Sequence, residues 1–149
     1  MSANNALAFT LRSNGGLFHA LRTNVTVINH NDMAQTVALW DTGATGTCIS
    51  RELARQLHLV PTGFTDICTP SGKSTMNTYL IDIVLPNSVA VRQVPVCESE
   101  IGAQGLGILI GMDIITLGDF SISNLHGKTT FTYRMPSIEE TDFCKKTSS

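Results

Sequence analysis

Charge is scarce in this chain: Asp, Glu, Lys and Arg make up 15% of 149 residues, and the formal net charge is -2. A chain this close to neutral is not held open by self-repulsion. Its ten Lys and Arg are scattered, with only Lys145 and Lys146 adjacent, so the basic stripe that neutralises a phosphate backbone is missing. Aromatic residues are few as well, at 6%, and form no interleaved platform for stacking bases. Nucleic acid is therefore not expected as a partner. No apolar run approaches the length of a membrane span, which argues against a membrane partner. Cys48, Cys68, Cys97 and Cys144 contain no C-x-x-C, and His19, His30, His58 and His126 fall in no ligand pattern, so no metal or cofactor is expected. Residues 1–5 lack a basic region followed by an apolar block, and the reading is of a cytoplasmic protein with reduced thiols. Without such a leader, the sequon Asn24-Val25-Thr26 reads as a chance match.

What the chain does have is short apolar runs separated by turn residues. Runs at 7–12 and 17–22 flank Ser13-Asn14-Gly15-Gly16 and predict an opening hairpin. A second hairpin is expected from 24–29, where Val25 and Val27 alternate with Thr26, through a polar loop into a run ending at Trp40 and Asp41. Residues 50–59 carry a Ser50 N-cap candidate and apolar positions 53, 54 and 57, predicting a short helix stopped before Pro61. His58 is read as a surface residue. Strands are expected at 64–68 and 76–85 around an exposed turn at Thr69 to Ser74, then at 89–96 and 106–110, with a polar loop from Glu98 to Gln104. Over 111–118, Asp113 is expected to cap a short helix that Gly118 ends. A last hairpin joins 120–125 to 129–133. The expected domain spans 1–136, followed by a flexible tail at 137–149. About nine strands and two short helices describe an all-β domain, more barrel than sandwich.

Chemistry concentrates at Trp40-Asp41-Thr42-Gly43-Ala44. A carboxylate at the end of a buried strand must find hydrogen-bond donors or become neutral, because an isolated charge is costly to desolvate. Trp40 is expected to pack in the core, and Tyr79 to keep its hydroxyl at the surface. About seventy residues after Asp41 comes a second apolar strand, Ile108-Leu109-Ile110, running into Gly111-Met112-Asp113. In this combination the sequence resembles the retropepsin-like aspartic proteases over about 24–133, in the manner of a cellular or bacterial member; the hairpin at 7–22 and the tail lie outside the match.

The resemblance implies a closed β-barrel forming half of a two-fold symmetric aspartic protease. In that family two carboxylates share a water, one as general base and one as general acid. This chain has one D-T-G triplet, and a single-chain enzyme would need roughly twice this length. The implied active form is a homodimer with Asp41 from each subunit at the axis, cleaving a peptide or protein substrate. By the same resemblance Thr42, Gly43 and Ala44 support the active-site loop, and Pro70, Ser71, Gly72 and Lys73 form a flap over the substrate. Gly111 and Asp113 pack beneath the Asp41 loop as structural supports. Retroviral members place acidic residues after the triplet and an Arg inside the second motif; Thr45-Gly46 and Met112 stand there instead, so the resemblance carries over neither the retroviral charge pair at the dimer interface nor an acidic contact to substrate. Ala44, where pepsins commonly have Ser, implies activity at mildly rather than strongly acidic pH. The alternative function is a non-proteolytic dimer of the same fold acting as a peptide-binding or assembly module.

Overall fold

The computed structural model describes residues 6–145; residues 1–5, and the end of the predicted tail at 146–149, lie outside the described residues. The second predicted hairpin is present as β2 (Arg22–Asn29) and β3 (Asp32–Trp40), with Asn29 opposite Asp32. On β2 the alternate residues Thr23, Val25 and Val27 are buried, the period of two that places one face of a strand against a core. Four more strands complete a closed barrel: β4 (Cys48–Ser50), β6 (Gly72–Val84), β7 (Ala90–Ser99) and β8 (Ile108–Ile110). They follow the order β2-β3-β8-β4-β7-β6, and β6 returns to pair with β2. Closure gives each of these six strands a partner on both sides over part of its length. The pairings β3–β8 and β4–β7 are parallel. Ile49, Ile81, Ile83, Val96, Ile108 and Ile110 fill the interior. Between β4 and the strand β5 (Gly63–Thr69), which hairpins onto β6, lies helix α1 (Arg51–Gln56). The Ser50 hydroxyl accepts the Leu53 N–H at 3.1 Å, so its removal costs about 1 kcal/mol, and Leu53 and Ala54 face the core.

The opening hairpin is a correction. Strand β1 (Leu7–Arg12) forms, but 17–21 is irregular and residue 22 begins β2. Instead of folding back, β1 pairs with β10 (Thr130–Met135), which also pairs with β9 (Asp119–Ser123). The cause is the aromatic residue on β1. Phe9 meets Phe131 edge to face at 5.5 Å and Trp40 at 5.7 Å, burial that the half-exposed Leu17 could not supply. Gly15 and Gly16 do turn the chain, at φ +90° and +91°. The turn is handed to the distant strand, because Ser13 N–H donates to the Thr129 carbonyl and Phe18 N–H to the Thr129 hydroxyl, each at 2.9 Å.

Further corrections follow from pairing that local sequence does not reveal. The β5–β6 hairpin is longer than expected and turns at Pro70-Ser71 alone, since Gly72 and Lys73 already pair with Thr69 and Cys68. Strand β7 extends into the expected polar loop, where Glu98 is buried against Tyr79. Tyr79 is itself buried, its hydroxyl donating to Glu98 Oε1 at 2.9 Å rather than lying at the surface. Burial is the main cause that pushes the Tyr79 phenol above its ordinary value. Arg51 Nε reaches Glu98 Oε2 at 3.3 Å, so the carboxylate is matched as a buried charge requires. Among the described residues, no helix is long and apolar enough to cross a membrane.

Candidate active site

Strand β3 delivers Asp41 to one rim of the barrel. Ala38 and Trp40 point inward, while Leu39 and Asp41 lie half-buried on the opposite side of the alternation. Trp40 fixes the end of the strand. Its indole Nε1–H donates to the Thr23 hydroxyl at 2.9 Å, and its ring lies 4.9 Å from that of Tyr133. The expectation of a packing role for Trp40 therefore holds, with 4% of its surface exposed. The chain then bends: Asp41 N–H donates to the Ile110 carbonyl at 2.8 Å, and Gly43 N–H donates to Asp41 Oδ1 at 2.8 Å. A Cβ at Gly43 would stand 3.1 Å from that same oxygen, so glycine here keeps the carboxylate uncrowded. Thr42, Gly43, Thr45 and Gly46 are exposed in the single chain.

The second motif comes alongside because β8 runs parallel to β3, with Ile110 in register with Trp40. It leads into helix α2 (Met112–Ile115), whose N-cap is Gly111. Asp113 is thus not the cap, a correction with a consequence for the loop. With the capping position taken by a residue without a side chain, Asp113 is free to reach across to Thr47. Its Oδ1 accepts the Thr47 hydroxyl at 2.7 Å and its Oδ2 the Thr47 N–H at 3.0 Å. Main-chain bonds complete the clamp: Met112 N–H donates to the Ala44 carbonyl at 2.8 Å and Asp113 N–H to the Thr45 carbonyl at 3.1 Å. Ala44, Thr45, Gly46 and Met112 carry no charge, and backbone hydrogen bonding ties the two motifs there. Gly111 is required by proximity, since a Cβ there would fall 2.6 Å from the Gly46 carbonyl oxygen and 2.9 Å from that of Ala44.

The structure therefore brings Asp41, Thr42, Gly43, Ala44, Gly111 and Asp113 into one cluster. Pro70, Ser71, Gly72 and Lys73 stand apart at the exposed end of the β5–β6 hairpin, where the Thr69 hydroxyl donates to the Gly72 carbonyl at 2.8 Å. Among the described residues, no hydrogen bond joins that tip to residues 41–47. Sequence reasoning missed Thr47, which is 2% exposed and whose hydroxyl both donates to Asp113 and accepts the Gly111 N–H at 3.3 Å. Nothing in the local pattern marked it beyond its position between the triplet and the helix. Nearby, the Cys48 thiol is pushed above its ordinary value, first by burial and then by Cys97, Asp113 and Asp41. Among the described residues, no three His, Cys, Asp or Glu side chains cluster as a metal site.

The sequence profile of the family described as "gag-polyprotein putative aspartyl protease" matches residues 25–116, a stretch that contains both motifs. A retropepsin-like aspartic protease from Rickettsia conorii superposes with a TM-score of 0.57 at 17% identity, over 91% of this chain and 99% of that one. The protease of Simian Foamy Virus (mac) aligns with a TM-score of 0.48 at 19% identity, over 62% of this chain and 89% of that one. No curated protein matches the chain.

Proposed function

From a chain that belongs to the gag-polyprotein aspartyl protease family and has the retropepsin-like barrel, we propose an aspartic endopeptidase that is active as a homodimer. What carries the reading is the Asp41 loop: one half-exposed carboxylate at a strand end, on a loop clamped from below by the second motif and open to solvent above. Two copies facing each other across a two-fold axis supply the pair of carboxylates. Like charges this close do not both ionise, so one carboxylate accepts a proton from the water between them while the other, protonated, donates to the carbonyl oxygen of the peptide. The water oxygen attacks the carbonyl carbon, and collapse of the tetrahedral intermediate breaks the C–N bond as the nitrogen takes a proton. Thr42 and Gly43 meet their counterparts near the axis, and Ala44 lines the loop. The tip at Pro70, Ser71, Gly72 and Lys73 closes over an extended substrate and excludes water, which is held largely through its backbone as an added strand.

The test is to incubate wild type and Asp41→Asn with a peptide library. The reading expects cleavage by wild type alone, blocked by a statine-type transition-state mimic. Equal binding by both without cleavage would instead establish the non-proteolytic module. For the active protein, the pH–rate profile is expected to peak at mildly acidic pH; a rate still rising below about pH 3 would contradict that part.

A further inference from the structure

Cys48 and Cys97 lie directly opposite each other on the parallel pair β4–β7. Their neighbours Thr47, Ile49, Val96 and Glu98 are buried, so by alternation both thiols are on the outer side of the barrel wall, half-exposed and free. The same row continues through Leu109, opposite Cys48, to Leu39, two residues before Asp41. We infer that Cys48 and Cys97 form an oxidative modification site, a cross-strand dithiol beside the Asp41 loop that closes to a disulfide with a peroxide-class oxidant and so slows cleavage reversibly.

Neighbouring strands are about 4.8 Å apart, within the Cα separation of roughly 4.4–6.8 Å that a disulfide spans. Closure consumes one hydrogen peroxide. One thiol attacks the O–O bond to give a sulfenic acid and water, and the second displaces hydroxide from it, which leaves as water with the displaced proton. Two S–H bonds and one O–O bond break, one S–S bond forms, and two electrons pass from sulfur to oxygen. The effect on cleavage, which rests on the protease reading, runs through Thr47. Disulfide Cβ atoms lie about 3.8 Å apart, so closure draws Cys48 toward β7 and shifts the adjacent Thr47, which holds Asp113 and Gly111 under the loop. Burial and the neighbouring acids raise the Cys48 thiol; thiolate being the reacting form, closure quickens with rising pH.

The experiment uses the full chain carrying Cys68→Ser and Cys144→Ser, which removes the two exposed thiols. Under hydrogen peroxide, the expected results are loss of both remaining thiols, an intact mass lower by two hydrogens, and a cross-linked peptide joining the segments around Cys48 and Cys97. Cleavage falls roughly tenfold and returns with dithiothreitol. Adding Cys48→Ser or Cys97→Ser abolishes the cross-link, and each variant's cleavage is then unchanged by peroxide relative to its own untreated rate. Retention of both thiols, or conversion to sulfinic acid without a cross-link, overturns the site. A cross-link with an unchanged rate overturns the control of cleavage. Absence of cleavage before oxidation sinks the protease reading alone, because the cross-link is still read by mass.

Discussion

Asp113 joins two parts of the chain 66 residues apart through both of its oxygens. Replacing it by Ala strips the buried Thr47 of its acceptors, a loss of about 1–3 kcal/mol. Chemical denaturation of Asp113→Ala should show that loss at unchanged m-value, and cleavage should fall with it; a midpoint equal to wild type would show that the clamp carries no stability. Gly111→Ala is expected to act more locally. The added methyl meets main-chain oxygen atoms of Gly46 and Ala44, which belong to the loop and must move, so kcat should drop more than tenfold for a protein that still folds. Asp119 serves the other end of the chain. Its carboxylate is held well below the ordinary value of 3.8, first by the Ile138 N–H, then by the Ser137 hydroxyl and Arg134. A lowered folded-state value means that the stabilisation is complete above the unfolded value and fades as pH falls through the folded one. Amide exchange at Ile138 and Glu139 should therefore be protected at pH 5, with protection lost only well below pH 3.8, whereas Asp119→Asn should weaken it already at pH 5. Protection in that variant equal to wild type would rule this anchor out.

Elements were legible where their pattern was local. The alternation of Val25 and Val27, the Ser50 cap and the apolar run before Gly111 each encode their own structure, and each is present as expected. Elements made by remote partners were not. Strand β4 has three residues and exists through pairing with β7 and β8, and β1 finds its partner more than a hundred positions away. At the site, the Asp41 and Gly111–Asp113 stretches were readable as motifs, but the Thr47–Asp113 bonds were not, since no short-range rule connects those positions. The aromatic contact that recruits β1 can be tested alone. Phe9→Ala removes a half-buried ring that packs on Trp40, Phe131 and Tyr133 and should cost about 2–4 kcal/mol. A change under about 0.5 kcal/mol in urea melts would mean that the sheet is held by its backbone ladder instead.

At the scale of the molecule, the barrel and the three-stranded sheet are joined through Trp40, the residue immediately before Asp41. The foundation of the site thus extends beyond the stretch shared with the family, since β1, β9 and β10 lie outside residues 25–116. One chain presents one carboxylate on an exposed loop, and the proposed chemistry requires two. The most direct measurement is the cleavage rate of a fixed amount of wild type as Asp41→Asn is mixed in and allowed to exchange subunits. If each active site needs Asp41 from both partners, an equal amount of the variant lowers the rate to about half, because mixed dimers are inactive. A rate that does not fall after demonstrated subunit exchange would contradict the account, since mixed dimers carrying a single Asp41 would then be active.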